Sequence, residues 1–404
     1  MRTVRLRLIT AAMCFAVGCS SPPSGSSDAG HDGGVTEDAG AHDAGVVDSG
    51  VPDSGNPDSG IQDSGTPDAS VTVFDNLSEF GLFTSGPDDA GHLTTAPGNV
   101  EYQLTTALFS DYALKQRTLR IPPGSTALYN TDDVLDLPVG TIISKTFSFP
   151  ADQRAPGENV NVVETRLLIH QPTGWEAYPF VWNAGHTDAV KRVGGQVVPV
   201  TFIQEDGGSR SFSYLVPSRN QCLQCHHTLD DAGTQVMRPI GVKVRYLNRT
   251  HDYGGGDENQ LEYFADEGLL DGLPSDGGWP RLPNAFDVSD GSLDERARTY
   301  LEINCGHCHR PNSTAGKTSQ LFLNFANTDP YHLGVCKRPG SAGSGAGGTY
   351  DIQPGHHDES ILWFRMQTEE SGKMMPQIGR TLRHDEGAEL LQQWIDAMPD
   401  AGCD

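Results

Sequence analysis

Two short motifs constrain this chain more than any other feature: Cys222-Leu-Gln-Cys225-His226 and Cys305-Gly-His-Cys308-His309. Thiols three positions apart share one face of a helical turn. From there both can reach the vinyl groups of a single haem, and the imidazole that follows points at its iron. Zinc and short disulfides are the alternatives. A zinc site needs the four motif cysteines, or Cys₂His₂ sets, to converge. Disulfides within each motif would close short, reducible loops. Neither asks for a His after both motifs. The reading is two covalently bound haem c groups, held by Cys222, Cys225, Cys305 and Cys308, with His226 and His309 as axial ligands.

The N-terminus points to export. Arg2, Arg5 and Arg7 precede an apolar run over residues 8–18, too short to span a bilayer. It ends in Ala16-Val17-Gly18-Cys19, which resembles a bacterial lipobox, with cleavage before Cys19 and lipid on that thiol. An ordinary signal peptide is the alternative. Ser20 in place of an Asp favours the outer membrane, facing periplasm or cell surface. Residues 20–70 contain no Lys or Arg, and an Asp recurs every five residues from Asp38 to Asp68. Such a segment buries too little apolar surface to offset its ordering entropy and reads as a disordered tether. At roughly 40 Å average span it would hold a domain off a membrane. The net charge of −25 excludes a nucleic-acid partner, which needs a basic face.

The expected architecture is α+β in four segments: a lipoprotein signal (1–18), the lipidated Cys19 with its linker (19–70), an antiparallel β-rich domain with the first motif (71–255) and an α-helical cytochrome c-like domain with the second (256–404). Strands are read at 141–149, 162–169, 178–182, 197–203 and 211–216, rich in β-branched and aromatic residues and punctuated by Gly, Pro, Asn and Asp. Helices are read at 260–270, after the capping box Ser292-Leu-Asp-Glu295 into Cys305, and at 385–398 with Leu390, Leu391, Trp394, Ile395 and Met398 at helical spacing. Residues 339–348 form a Gly/Ser-rich loop.

The sixth ligand of the second iron is read as Met375, ahead of Pro376, with Met374 next; a thioether there raises the reduction potential and suits electron transfer. The first iron has no evident sixth ligand. Met237, His170, His186, His227 and His251 are candidates, and an open position is the alternative. Glu164 and Arg166 share a strand face as an ion pair or a clamp for a propionate. Once signal, lipid and motifs are subtracted, Cys336 and Cys403 remain as a disulfide worth about 4 kcal/mol, or as two free thiols.

Several stretches resemble a family of exported di-haem c-type cytochromes of Gram-negative bacteria. They include Leu108-Phe-Ser-Asp-Tyr-Ala-Leu-Lys115, Pro138-Val-Gly-Thr-Ile-Ile-Ser-Lys-Thr-Phe147, Glu164-Thr-Arg-Leu-Leu168, Pro217-Ser-Arg219, Arg296-Ala-Arg-Thr-Tyr-Leu301 and Met375-Pro376. The resemblance covers residues 75–400. It implies two haems rather than a particular reaction. Tyr246-Leu247-Asn248 departs from the Gln-Leu-Asn usual after the first motif. The β-domain is also similar, distantly, to the cytochrome c′-beta type, whose haem can be five-coordinate. The expected function is one-electron transfer in the cell envelope with a redox partner protein. The alternatives are a haem enzyme of peroxidase or small-molecule oxidoreductase type, or a diatomic gas sensor, with an open site at the first haem.

Overall fold

The computed structural model describes residues 70–230, 232–340, 345–400 and 402–403. The expected signal, Cys19 and all but the last residue of the linker lie outside them. The described chain mixes helices with one large antiparallel sheet. Its order is β1 (Asn99–Glu101), β2 (Leu114–Arg120), β4 (Ile142–Pro150), β5 (Val160–Gln171), β6 (Gly174–Trp182) and β7 (Ala189–Lys191). Strand β3 (Ala127–Leu128) lies outside this sheet. Strands β8 (Gln196–Ile203) and β9 (Ser209–Val216) form a separate hairpin.

Alternation along these strands gives the sheet two apolar faces. On one, Ile142, Leu167, Ile169 and Phe180 pack under Leu77, Phe80 and Leu82. The other meets two different partners. Leu119 and Ile143 join Tyr102, Tyr246, Leu247, Leu261 and Phe264. Phe147 and Val181 join Val200, Phe202, Tyr214 and Val216 of the β8–β9 hairpin. Full burial of Phe147 or Phe202 is worth about 1.5–3 kcal/mol each. Between these two clusters the same face carries charged residues, and a cavity opens there.

After β9 the chain enters α1 (Arg219–His226), the hairpin β10 (His227–Leu229) with β11 (Gln235–Met237), α2 (Val244–Leu247), the hairpin β12 (Thr250–Asp252) with β13 (Asp257–Asn259), and α3 (Gln260–Asp266). The helix read over 260–270 stops early. Gly268, at φ +68°, turns the chain so that β14 (Leu270–Asp271) pairs in parallel with β3. Leu261, Phe264, Leu270 and Leu282 therefore pack in one core with Tyr102, Leu119 and Ile143. Residues on both sides of the expected 255/256 boundary share that core, and the described residues from 70 onward belong to one compact unit.

The last third is helical: α4 (Leu293–Asn304), α5 (Thr314–Ser319), α6 (Pro330–Leu333), α7 (Ile361–Gln367) and α8 (Asp385–Asp396). The capping box forms as read: Ser292 Oγ accepts from Glu295 N at 3.2 Å, and Ser292 N donates to Glu295 Oε2 at 2.9 Å. Ala297, Tyr300 and Leu301 of α4 pack with Leu390, Leu391 and Trp394 of α8. Trp394 Nε1 donates to Asp294 Oδ1 at 2.8 Å across the crossing. A disulfide joins Cys336 to Cys403, with Cα atoms 5.2 Å apart. Among the described residues no helix is long and apolar enough to cross a membrane.

Candidate functional site

Helix α1 carries the first motif and is fixed at both ends of its first turn. Ser218 Oγ accepts from Gln221 N, and Gln221 Oε1 accepts from Ser218 N at 2.8 Å. Arg219 pairs with Glu176 at 2.9 Å and lies over the Tyr178 ring, which docks the helix on β6. Cys222, Cys225 and His226 then face a cavity of about 1300 Å³, counted out to its open mouth. Its apolar lining includes Leu104, Ile143, Leu168 and Ala177.

The opposite wall is the sheet, and it is cationic. Register places Arg117 opposite Lys145 and Lys145 opposite Arg166, one residue on each of three adjacent strands. All three line the cavity. Like charges directly opposite one another destabilise a sheet. Arg166 has a direct ion-pair partner: Glu164 takes it through two oxygens, at 2.5 and 2.9 Å, and Tyr214 donates to Glu164 at 2.6 Å. Against the penalty of burial, Glu164 keeps the Arg166 guanidinium firmly charged. Arg117 Nη2 is buried with no hydrogen-bond partner. The Phe147 ring lies under the Lys145 ammonium, at 4.8 Å. Burial, then the neighbouring cations, push the Lys145 ammonium well below its usual range, and burial holds Lys115 down at about 7. The chain, with net charge −25, keeps Arg117 and Lys145 on this inner wall without a salt bridge among the described residues, where an anionic occupant would relieve them.

The motif histidines are arranged as metal ligands usually are. His226 Nδ1 donates to the Arg238 carbonyl at 3.0 Å, which fixes the ring and leaves Nε2 as its acceptor nitrogen. His309 has a backbone hydrogen bond at Leu321, and its Nδ1 lies 3.5 Å from Ser319 Oγ. Burial holds both imidazoles at about 4, so both are neutral near pH 7, as coordination requires.

The second motif begins where α4 ends. A buried cluster anchors that end: Glu302 accepts from Lys243 Nζ at 3.3 Å, from Phe325 N at 2.8 Å and from Tyr246 Oη. Asn304 Oδ1 accepts from Phe109 N at 2.8 Å. Burial pushes the Cys305 thiol up to about 12. The Met375–Pro376 segment is held against α7, with Met375 N donating to Arg365 O at 2.9 Å and Met375 O accepting from Arg380 Nε at 2.9 Å. Pro376, Ile378 and Gly379 line the first motif's cavity.

The two motifs meet. Donor atoms of Cys225, His307 and Cys308 lie within 4.8 Å of one another. Cys222 and Cys305 are not part of that group, so the four-cysteine convergence that a structural zinc would need is not formed.

A haem fits these residues on three counts. One wall offers two thiols and a tethered imidazole, the lining is largely apolar, and the far wall holds Arg117 and Lys145 without a salt bridge among the described residues, which suits two propionates. Of the proposed sixth ligands for the first iron, none lines the cavity. His170 Nδ1 donates to the Leu137 carbonyl and the ring stacks on Trp175. His227 bonds Leu223 O and Thr314 Oγ1. His186 bonds Asn161 Oδ1, His251 packs on Tyr253, and Met237 pairs with His227 in the β10–β11 hairpin. His307 lines the cavity instead, with its Nδ1 buried and unpartnered. It escaped the sequence reading because it sits inside a motif whose middle residues are unconstrained. Arg117 and Lys145 escaped because a like-charge row appears only once register is known. No protein-family model matches the chain, and neither the curated proteins nor the solved structures return a match.

Proposed function

We propose that this chain is an exported di-haem c-type cytochrome that moves single electrons in the cell envelope. The observation that carries the reading is the pairing of the Cys222/Cys225/His226 wall with the row Arg117–Lys145–Arg166 across one apolar cavity. On this reading Cys222 and Cys225 hold one haem over His226, and Cys305 and Cys308 hold the other over His309. When bound, each haem supplies a ferrous–ferric couple whose potential follows from axial ligands, charge and burial. The chain's own residues do the rest. Arg238 O orients His226, and Arg117 and Lys145 would neutralise the carboxylates of a haem held there. The apolar lining, Leu104 and Ile143 among it, excludes water.

The crossing of α4 and α8, with α4 running straight into Cys305, supports a cytochrome c-like arrangement around the second motif, with Met375 as its sixth ligand. The lipidated Cys19 would tether the protein to the membrane, and the acidic surface favours a redox partner with a basic patch. Intact-mass measurement under denaturing, reducing conditions tests this: two haem masses should stay on the polypeptide. A second reading, favoured by the convergence of Cys225, His307 and Cys308, is a metal ion held by those three donors. Loss of all added mass on denaturation, with one zinc per native chain, would support that reading instead. Carbon monoxide added to the reduced protein separates a relay from an enzyme or sensor. Binding at neither iron supports the relay, and binding at the first supports an open catalytic or sensing site.

A further inference from the structure

We propose that the two haem sites form one electronically coupled pair, joined where Cys225, His307 and Cys308 meet. The inference rests on the reading that both motifs carry haem. Cys225 and Cys308 are the second cysteines of their motifs, 83 positions apart in the chain. Their sulfurs and a His307 ring nitrogen nevertheless lie within 4.8 Å of one another, and Cys308 Sγ is 3.5 Å from Gln224 O.

The contact is built by the segments that leave each motif. Leu229 N donates to Asn312 O at 2.9 Å, and Thr228 Oγ1 donates to the same carbonyl at 3.1 Å. His227 Nε2 lies 2.9 Å from Thr314 Oγ1. Thr228 is buried, which limits competition from water for its bond to Asn312. These bonds fasten the exit strand of the first motif to the loop after the second.

A thioether sulfur sits two bonds from the macrocycle it carries. Two such sulfurs in one cluster therefore bring the edges of two macrocycles together, whatever tilt each plane adopts. Transition dipoles at that separation mix, and an electron on one iron is felt by the other. Electron exchange within the pair would then join the two irons as one store for two electrons, filled one at a time.

The test is Soret-region circular dichroism on the mature two-haem protein, with haem number set by intact mass. The expected result is a bisignate couplet crossing zero near the absorption maximum. The couplet should be absent from two single-haem variants, Cys222→Ala/Cys225→Ala/His226→Ala and Cys305→Ala/Cys308→Ala/His309→Ala, and from the sum of their spectra. A monosignate band from a protein that carries two haems overturns the inference and needs no variant to be interpreted. Low-temperature paramagnetic resonance of the ferric protein gives a second readout: spin-coupled or broadened signals support the pair, and two sharp additive signals overturn it. A protein with no covalent haem mass would fail the underlying reading instead, so the two failures are distinguishable.

Discussion

Replacing Lys145 by Met removes the central charge of the row on β2, β4 and β5 while keeping a long apolar side chain. Facing side chains on neighbouring strands have Cβ atoms about 5 Å apart. Two unit charges about 6 Å apart at an effective dielectric of 20 repel by about 3 kcal/mol. Lys145 faces Arg117 on one side and Arg166 on the other, and the salt bridge of Glu164 goes to Arg166. Without an anion in the cavity, the Met variant should be more stable than the parent by up to about 3 kcal/mol. That figure is an upper bound, because a lysine with a depressed pKa relieves part of the repulsion by losing its proton. With haem present the same charge favours the reduced iron. A lost cation roughly 10 Å from the metal is worth about 1.7 kcal/mol, or about 70 mV for one electron. Spectroelectrochemical titration should therefore show one midpoint potential lowered by tens of millivolts and the other moved less. Two unchanged midpoints, or a midpoint that rises, would refute the assignment of this row to the carboxylate end of the first cofactor.

Other perturbations follow from the same structure. Cys403→Ser opens the disulfide that closes a 67-residue separation, and urea unfolding should show a loss of about 4 kcal/mol; a change under about 1 kcal/mol would mean that the link restrains nothing. Gly387→Ala on α8 puts a methyl group against the Tyr300 hydroxyl and should cost about 1–3 kcal/mol by wedging α4 from α8, read as a lower thermal midpoint. His384 stacks on Phe109 at 4.0 Å and lies 3.0 Å from the Tyr300 hydroxyl, and burial holds its pKa at about 3. The unfolded chain takes up this proton first as pH falls. The stability from His384 is therefore whole above pH 6.5 and is lost progressively towards pH 3. Between pH 7 and 4.5 it should account for about 2–3 kcal/mol, so His384→Gln should unfold less steeply with acid, and an unchanged acid slope would contradict the burial argument.

The sheet was legible where alternation and turn residues coincide. Strands read at 141–149, 162–169 and 197–203 appear as β4, β5 and β8 within a few residues of each end. Strand β2 reads poorly because Lys115, Arg117 and Arg120 break its apolar pattern; Arg117 faces the cavity, while Arg120 donates to the Phe80 carbonyl and Lys115 to the Ala113 carbonyl. The helix into Cys305 was legible from Ser292 and Glu295 because a capping box is local chemistry. The short α3 was not, since its end is set by the pairing of β14 with β3, a contact between residues 143 positions apart. The motif residues could be named from sequence, but the meeting of Cys225 with Cys308 depends on bonds between residues 83 to 87 positions apart. No local pattern encodes such contacts.

The most direct test of the account is a pyridine haemochrome assay on the full chain matured by a cytochrome c assembly system. The account predicts a c-type spectrum with two haems per polypeptide that organic extraction does not remove. A colourless protein, or one that instead holds a zinc ion at Cys225, His307 and Cys308, would contradict it.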